Sequence, residues 1–165
     1  MNYAEWMKSV PRAVTEDSLW RMSVYRLALF LGEVAWHDVT KLAKDLRMRE
    51  LSDQLYRAVG SISANVAEGY SRGTGRDRAR FYEYALGSAR EARDWYFKGR
   101  HVLGENVNEH RINLLAEIIR LLLAMVPDQR GAMLREDQVP YQVEGEMEEP
   151  KNLAELLNQV PLADA

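Results

Sequence analysis

Apolar residues recur along most of this chain at helical spacing, and four separate stripes can be traced. The first runs Trp20, Val24, Leu27, Leu31, Val34, Ala35, Val39 and Leu42 after Ser18, whose hydroxyl suits a helix N-cap; Gly32 marks a place for a bend. The second runs Leu51, Leu55, Val59, Ile62 and Val66, and the cluster Gly69, Gly73 and Gly75 interrupts it. Thr74 with Asp77 three residues on resembles a capping box and opens a third helix, expected over roughly 75–103, with the stripe Phe81, Ala85, Ser88, Ala92, Trp95 or Tyr96, Gly99 and Val102. Gly104 ends that helix, and Asn106 with Glu109 signals the next. Its stripe, Ile112, Leu115, Ala116, Ile119, Leu122, Leu123 and Val126, is the most regular in the chain. No alternating strand pattern competes with these readings.

Four amphipathic helices on short connections bury their stripes against one another, so the predicted fold is all-α: an antiparallel up-down-up-down four-helix bundle with an N-terminal extension and an acidic C-terminal tail. The expected layout is an extension over residues 1–17, the bundle over 18–136, and a tail over 137–165. The extension holds Trp6 and Pro11 and is placed across the bundle. The tail carries one short amphipathic segment, Leu153 to Val160, which docks weakly or reaches a neighbour.

At 165 residues and 47% hydrophobic, the chain suits one domain with a real core. It contains no cysteine, which removes disulfides, thiolate metal ligands and a cysteine nucleophile and fits a reducing interior, so the cytoplasm is the expected location. Residues 1–15 lack the features of a signal peptide, and Glu117 and Arg120 break the most apolar run. No membrane partner is expected.

The net charge of −3 conceals a segregation. Residues 41–111 carry fourteen basic and ten acidic side chains, whereas residues 128–165 carry three basic and nine acidic. A basic middle and an acidic tail are two different surfaces.

Enzymatic chemistry finds no constellation. A di-iron bundle needs paired Glu-x-x-His motifs, and here His37, His101 and His110 are isolated, with Glu33 four residues before His37 and no second set. Neither a metal nor another cofactor is expected. Ser61, Ser63 and Ser88 have no base at motif spacing, and Gly73-Thr74-Gly75-Arg76 is not a phosphate loop.

Two polar groupings stand out instead. Arg57, Ser61, Asn65 and Glu68 form one stripe of the second helix, and Tyr84, Ser88 and Glu91 on the third are spaced to meet it. The stripe reads as a hydrogen-bonded seam, with Glu68 buried and paired to Arg57 or Arg72, or as a solvated face or ligand site. The second grouping is basic: Arg72, Arg76, Arg78 and Arg80 near the turn, then Arg90, Arg93, Lys98 and Arg100, interleaved with Tyr70, Tyr82, Tyr84, Trp95 and Tyr96. Arginines beside exposed aromatic rings suit a phosphate backbone with unstacked bases; the plainer alternative is a solvated helix face balanced by Glu83, Glu91 and Asp94.

The run from Leu51 through Arg57, Ser61, Asn65, Glu68, Gly69 and Arg72 to Gly73, followed by Phe81 and the segment Ala85 to Glu91, resembles a bacterial four-helix-bundle family. Its members are encoded in intervening sequences of large-subunit ribosomal RNA genes, and its relatives include the accessory variability determinant of diversity-generating retroelements. The likeness covers about residues 17–130. It implies an up-down-up-down bundle, assembly into a homopentamer, no enzymatic activity and, in the retroelement branch, a basic surface that binds nucleic acid and a reverse transcriptase. Arg57, Asn65, Glu68, Gly69, Arg72, Ser88 and Glu91 fall on motif positions, where their role looks architectural. The chain departs from the pattern at Ser63, where proline is common, which leaves the second helix straight. It departs again at Arg78, where an aromatic is usual, and at Ala89 and Ala92, where leucines leave less room than Trp95 or Tyr96 has here.

Two function classes stay open. One is a pentameric accessory protein that holds RNA or an RNA–DNA intermediate for a reverse transcriptase. The other is an oligomeric scaffold that binds protein only, its basic block meeting a neighbour's acidic tail. Trp36, Tyr82 and Tyr96 exceed the needs of one bundle seam and are expected at subunit contacts.

Overall fold

The computed structural model describes residues 2–130 and 153–163. Within them the chain is all-α, with no strand. Two short helices, α1 (Tyr3–Ser9) and α2 (Arg12–Thr15), and a 3-10 turn over Ser18–Arg21 lead into α3 (Ser23–Leu42), α4 (Arg49–Tyr70), α5 (Gly75–Leu103) and α6 (Glu105–Arg130); α7 (Leu153–Asn158) follows. The four long helices pack as a bundle, α5 against both α4 and α6, and α3 against α4 and α6. No helix among the described residues is long and apolar enough to cross a membrane.

Local chemistry explains most of the boundaries. Thr74 accepts a hydrogen bond from the Asp77 amide at 3.1 Å and so caps α5. Gly104, at φ +88, turns the chain directly into α6; a side chain there would be strained. α4 is continuous over 22 residues through Ser63. The expected Ser18 cap is a correction. Asp17 accepts from the Leu19 amide at 2.8 Å and closes a 3-10 turn, and α3 starts after Met22 without a side-chain cap. The first apolar stripe therefore spans two elements.

α1 opens with a full capping box, Asn2 with Glu5, and buries Trp6. The Trp6 ring packs at a tilt 5.2 Å from Phe30 of α3 and 6.0 Å from Trp20, so the N-terminal residues complete the core. Tyr96, Ala89 and Ala92 are all fully buried on the inner side of α5, whereas Trp95 is only half-buried. Tyr82 is also buried, so neither tyrosine is spare for a subunit contact; Trp36 is 59% exposed and meets the exposed Tyr56 edge-on.

The buried polar chemistry lies elsewhere than the sequence suggested. Asp38 of α3 and Arg111 of α6 are each 0% exposed and form a two-armed ion pair at 2.7 and 3.2 Å. Tyr96 donates to the same carboxylate at 2.8 Å, and burial followed by the Asp38 charge pushes its phenol well above the ordinary value. Arg111 also donates to the Pro161 carbonyl at 2.8 Å and to His110 Nδ1 at 2.8 Å, and His110 Nε2 meets the Leu156 carbonyl at 2.8 Å. The C-terminal segment thus covers the ion pair, with α7 against α1 and α6.

Candidate nucleic-acid interface

The polar stripe of α4 is a surface and not a seam. Arg57 is exposed and reaches Asp53 at 3.5 Å; Ser61 donates to the Arg57 carbonyl and Asn65 to the Ser61 carbonyl. Glu68 does pair with Arg72, four residues on, but its side chain is 50% exposed, which corrects the expectation of a buried carboxylate. On α5, Ser88 bonds back to Tyr84 and Glu91 accepts from Trp95 at 3.2 Å, so these groups satisfy one another within their own helix. Exposed pairs one helical turn apart contribute under about 1 kcal/mol. Glu68→Ala is accordingly expected to lower the melting temperature by no more than a few degrees, and a loss above about 3 kcal/mol in urea unfolding would restore the buried-seam reading.

Gly69 is the motif residue whose role is steric. It is buried where α4 meets α5, and a Cβ there would lie 2.7 Å from Tyr82 Cε1 and 3.0 Å from Phe81 Cβ.

The eight basic residues divide by what already holds them. Arg72 pairs with Glu68 and lies 4.6 Å over the Phe81 ring. Arg78 is half-buried and donates to the Arg72 carbonyl at 2.8 Å, so it ties α5 to the end of α4. Lys98 is paired with Asp94 at 2.6 Å and sits 4.4 Å over Trp95. Arg80 bonds the Tyr84 hydroxyl at 2.7 Å, and Arg100 lies 4.1 Å over the Phe97 ring. Arg76, Arg90 and Arg93 are exposed and have no ion pair or hydrogen bond among the described residues.

Helical spacing puts Arg76, Arg80, Arg90, Phe97 and Lys98 on the outward face of α5, with Arg93 and Arg100 on the flank toward α6. There Arg90, Arg93, Asp94, Phe97 and Ile112 of α6 line an open cleft of about 430 Å3. Phe97 is 53% exposed and Tyr84 46%, while Trp95 is half-buried. The cleft brings Arg90 and Arg93, unpaired among the described residues, beside the exposed Phe97 ring. Among the described residues no group of three His, Asp or Glu side chains is placed to hold a metal ion.

Fold and surface together define a class: a helical bundle that presents a cation-rich, ring-bearing helix face. The model of the 23S rRNA-intervening sequence protein family matches residues 21–124, and the chain belongs to that family. Neither the curated proteins nor the solved structures contain a match.

Proposed function

We propose that this protein is a non-enzymatic, oligomeric accessory protein of the cytoplasm that binds RNA or another single-stranded nucleic acid along the outward face of α5. The observation that carries this reading is the pair Arg90 and Arg93, unpaired among the described residues, in one cleft with the exposed ring of Phe97, with Arg76 exposed on the same helix nearer its N-terminus. Free guanidinium groups can take phosphates without first breaking a protein ion pair, and an exposed ring can stack an unpaired base. The family resemblance supports a homopentamer as the working assembly and a reverse transcriptase as a protein partner. The exposed Trp36 and Tyr56 pair on α3 and α4 offers apolar area for contacts between copies. The one-residue link at Gly104 and the short turn over 71–74 favour an up-down-up-down order for the four long helices.

The test is salt dependence. Each phosphate neutralised on a single strand contributes about −0.7 to the log–log slope of affinity against salt. Changing Arg76, Arg80, Arg90 and Arg93 together to Gln is expected to flatten the slope by about 2–3 while leaving the helical spectrum unchanged, because all four are outside the core. No binding to single-stranded RNA at low salt would leave the other reading, an oligomeric scaffold that contacts protein only.

The acidic residues Glu144, Glu146, Glu148 and Glu149 lie outside the described residues. Removing the chain after Gln138 would also strip the cover from Arg111, so shielding of the basic face is better tested by changing these four to Gln. Tighter binding by that variant would show that they compete with nucleic acid.

A further inference from the structure

Residues 153–163 are held by an arrangement that demands one protonation state of one side chain. His110 is 6% exposed, and both ring nitrogens are engaged. Nδ1 faces Arg111 Nη1, and a guanidinium nitrogen only donates, so Nδ1 must carry a lone pair. Nε2 faces the Leu156 carbonyl, an acceptor, so Nε2 must carry the hydrogen. Only the neutral imidazole meets both demands. Arg111 has little freedom to retreat, because Asp38 and the Pro161 carbonyl hold its other nitrogens.

We infer that residues 153–163 form a releasable latch on the end of the bundle, closed while His110 is neutral and opened when His110 takes a proton. Protonation would set two donors and two positive charges 2.8 Å apart at a buried site, and the ring must move away from Arg111, carrying its contact with Leu156 along. A polar cavity of about 720 Å3 already flanks the docked segment, lined by the cap residue Asn2, Glu5 of α1, Asn106 and Asn113 of α6, and Asn158 and Gln159 of the latch; release uncovers Arg111 and takes away the wall that the latch supplies. The latch does not depend on the nucleic-acid reading.

Charges from every neighbouring element act on this ring. Arg111 opposes protonation and the Leu156 carbonyl favours it, while Glu5 of α1, Glu109 of α6 and Glu155 of α7 line the same cavity. Asp38 of α3 is already answered by Arg111 and by the Tyr96 hydroxyl. Burial first, and Arg111 second, hold the imidazole down at about 4 against an ordinary 6.5. Docking is therefore complete above about pH 6.5 and weakens about tenfold per pH unit down to about pH 4.

Because the chain has no cysteine, spin labels at Gln54→Cys and Gln159→Cys report the distance between α4 and the latch directly. The expected result is one narrow distance distribution at pH 7.5 and a broad one at pH 4.5, with the circular-dichroism helix signal of the bundle retained. Adding His110→Gln, which puts an uncharged amide N–H near the Nε2 position, should keep the distribution narrow at both pH values. Leu156→Asp, which spoils the docked face and leaves the ion pair intact, should broaden it at both. The latch is overturned by a narrow distribution in the parent at pH 4.5, by a broad one at pH 7.5, or by His110→Gln releasing over the same pH range as the parent. Broadening that coincides with loss of helix signal also overturns it.

Discussion

Replacing Arg111 with Met is expected to destabilise the bundle by about 3–5 kcal/mol, the usual consequence of leaving a buried charge without its partner. Asp38 would be left at 0% exposure without its cation, with the Tyr96 hydroxyl as its remaining donor. The substitution also removes the donors to Pro161 and His110, so the C-terminal segment should dock less tightly. Urea unfolding followed by circular dichroism measures the loss. The double variant Asp38→Leu with Arg111→Met should recover part of it, because apolar replacement of both partners removes the uncompensated charge. A residual cost of about 1–3 kcal/mol is expected for the Tyr96 hydroxyl left buried without an acceptor. If Arg111→Met unfolds within about 1 kcal/mol of the parent, the pair is not sealed from water in solution.

Gly69→Ala is expected to cost a net 1–2 kcal/mol or so, although alanine is the better helix former by about 1 kcal/mol. The added methyl would sit 2.7 and 2.9 Å from the Tyr82 ring and 3.0 Å from Phe81 Cβ. Tyr82 is buried and cannot swing aside freely, and the Phe81 atom is next to the α5 backbone, so α4 and α5 must part slightly. Gly60 on the same helix supplies the control. It is exposed, with nothing within 4 Å of its would-be Cβ, so Gly60→Ala should stabilise by up to about 1 kcal/mol. Thermal melts of the two variants should therefore move in opposite directions. If both rise, the contact between α4 and α5 is looser than the geometry states.

The four long helices were legible because each carries a complete apolar stripe with its own stop signals. The third helix was expected over 75–103 and is Gly75–Leu103, since Thr74 and Gly104 act through backbone chemistry that needs no tertiary partner. The basic cluster was equally legible as composition. Which of its members are free was not: Arg78 is committed to the Arg72 carbonyl in the turn, a bond set by how that turn folds back on the start of α5.

Glu68 was misplaced because a polar stripe beside an apolar one looks the same whether the neighbouring helix covers it or stops short, and here α5 leaves it half in water. The true buried pair left a fainter trace. Asp38 interrupts the run Val34, Ala35 and Leu42 on the inner side of α3, and Arg111 interrupts Val107, Leu114 and Ile118 on the inner side of α6. Each alone reads as a helix-face irregularity; together they are opposite charges on facing core positions, 73 residues apart in the chain. Local periodicity settles which residues form helices and which side of each is apolar, because those depend on neighbours within one turn. Pairing Asp38 with Arg111, burying His110 and closing residues 153–163 over them depend on which helix ends meet in space, and only packing decides that.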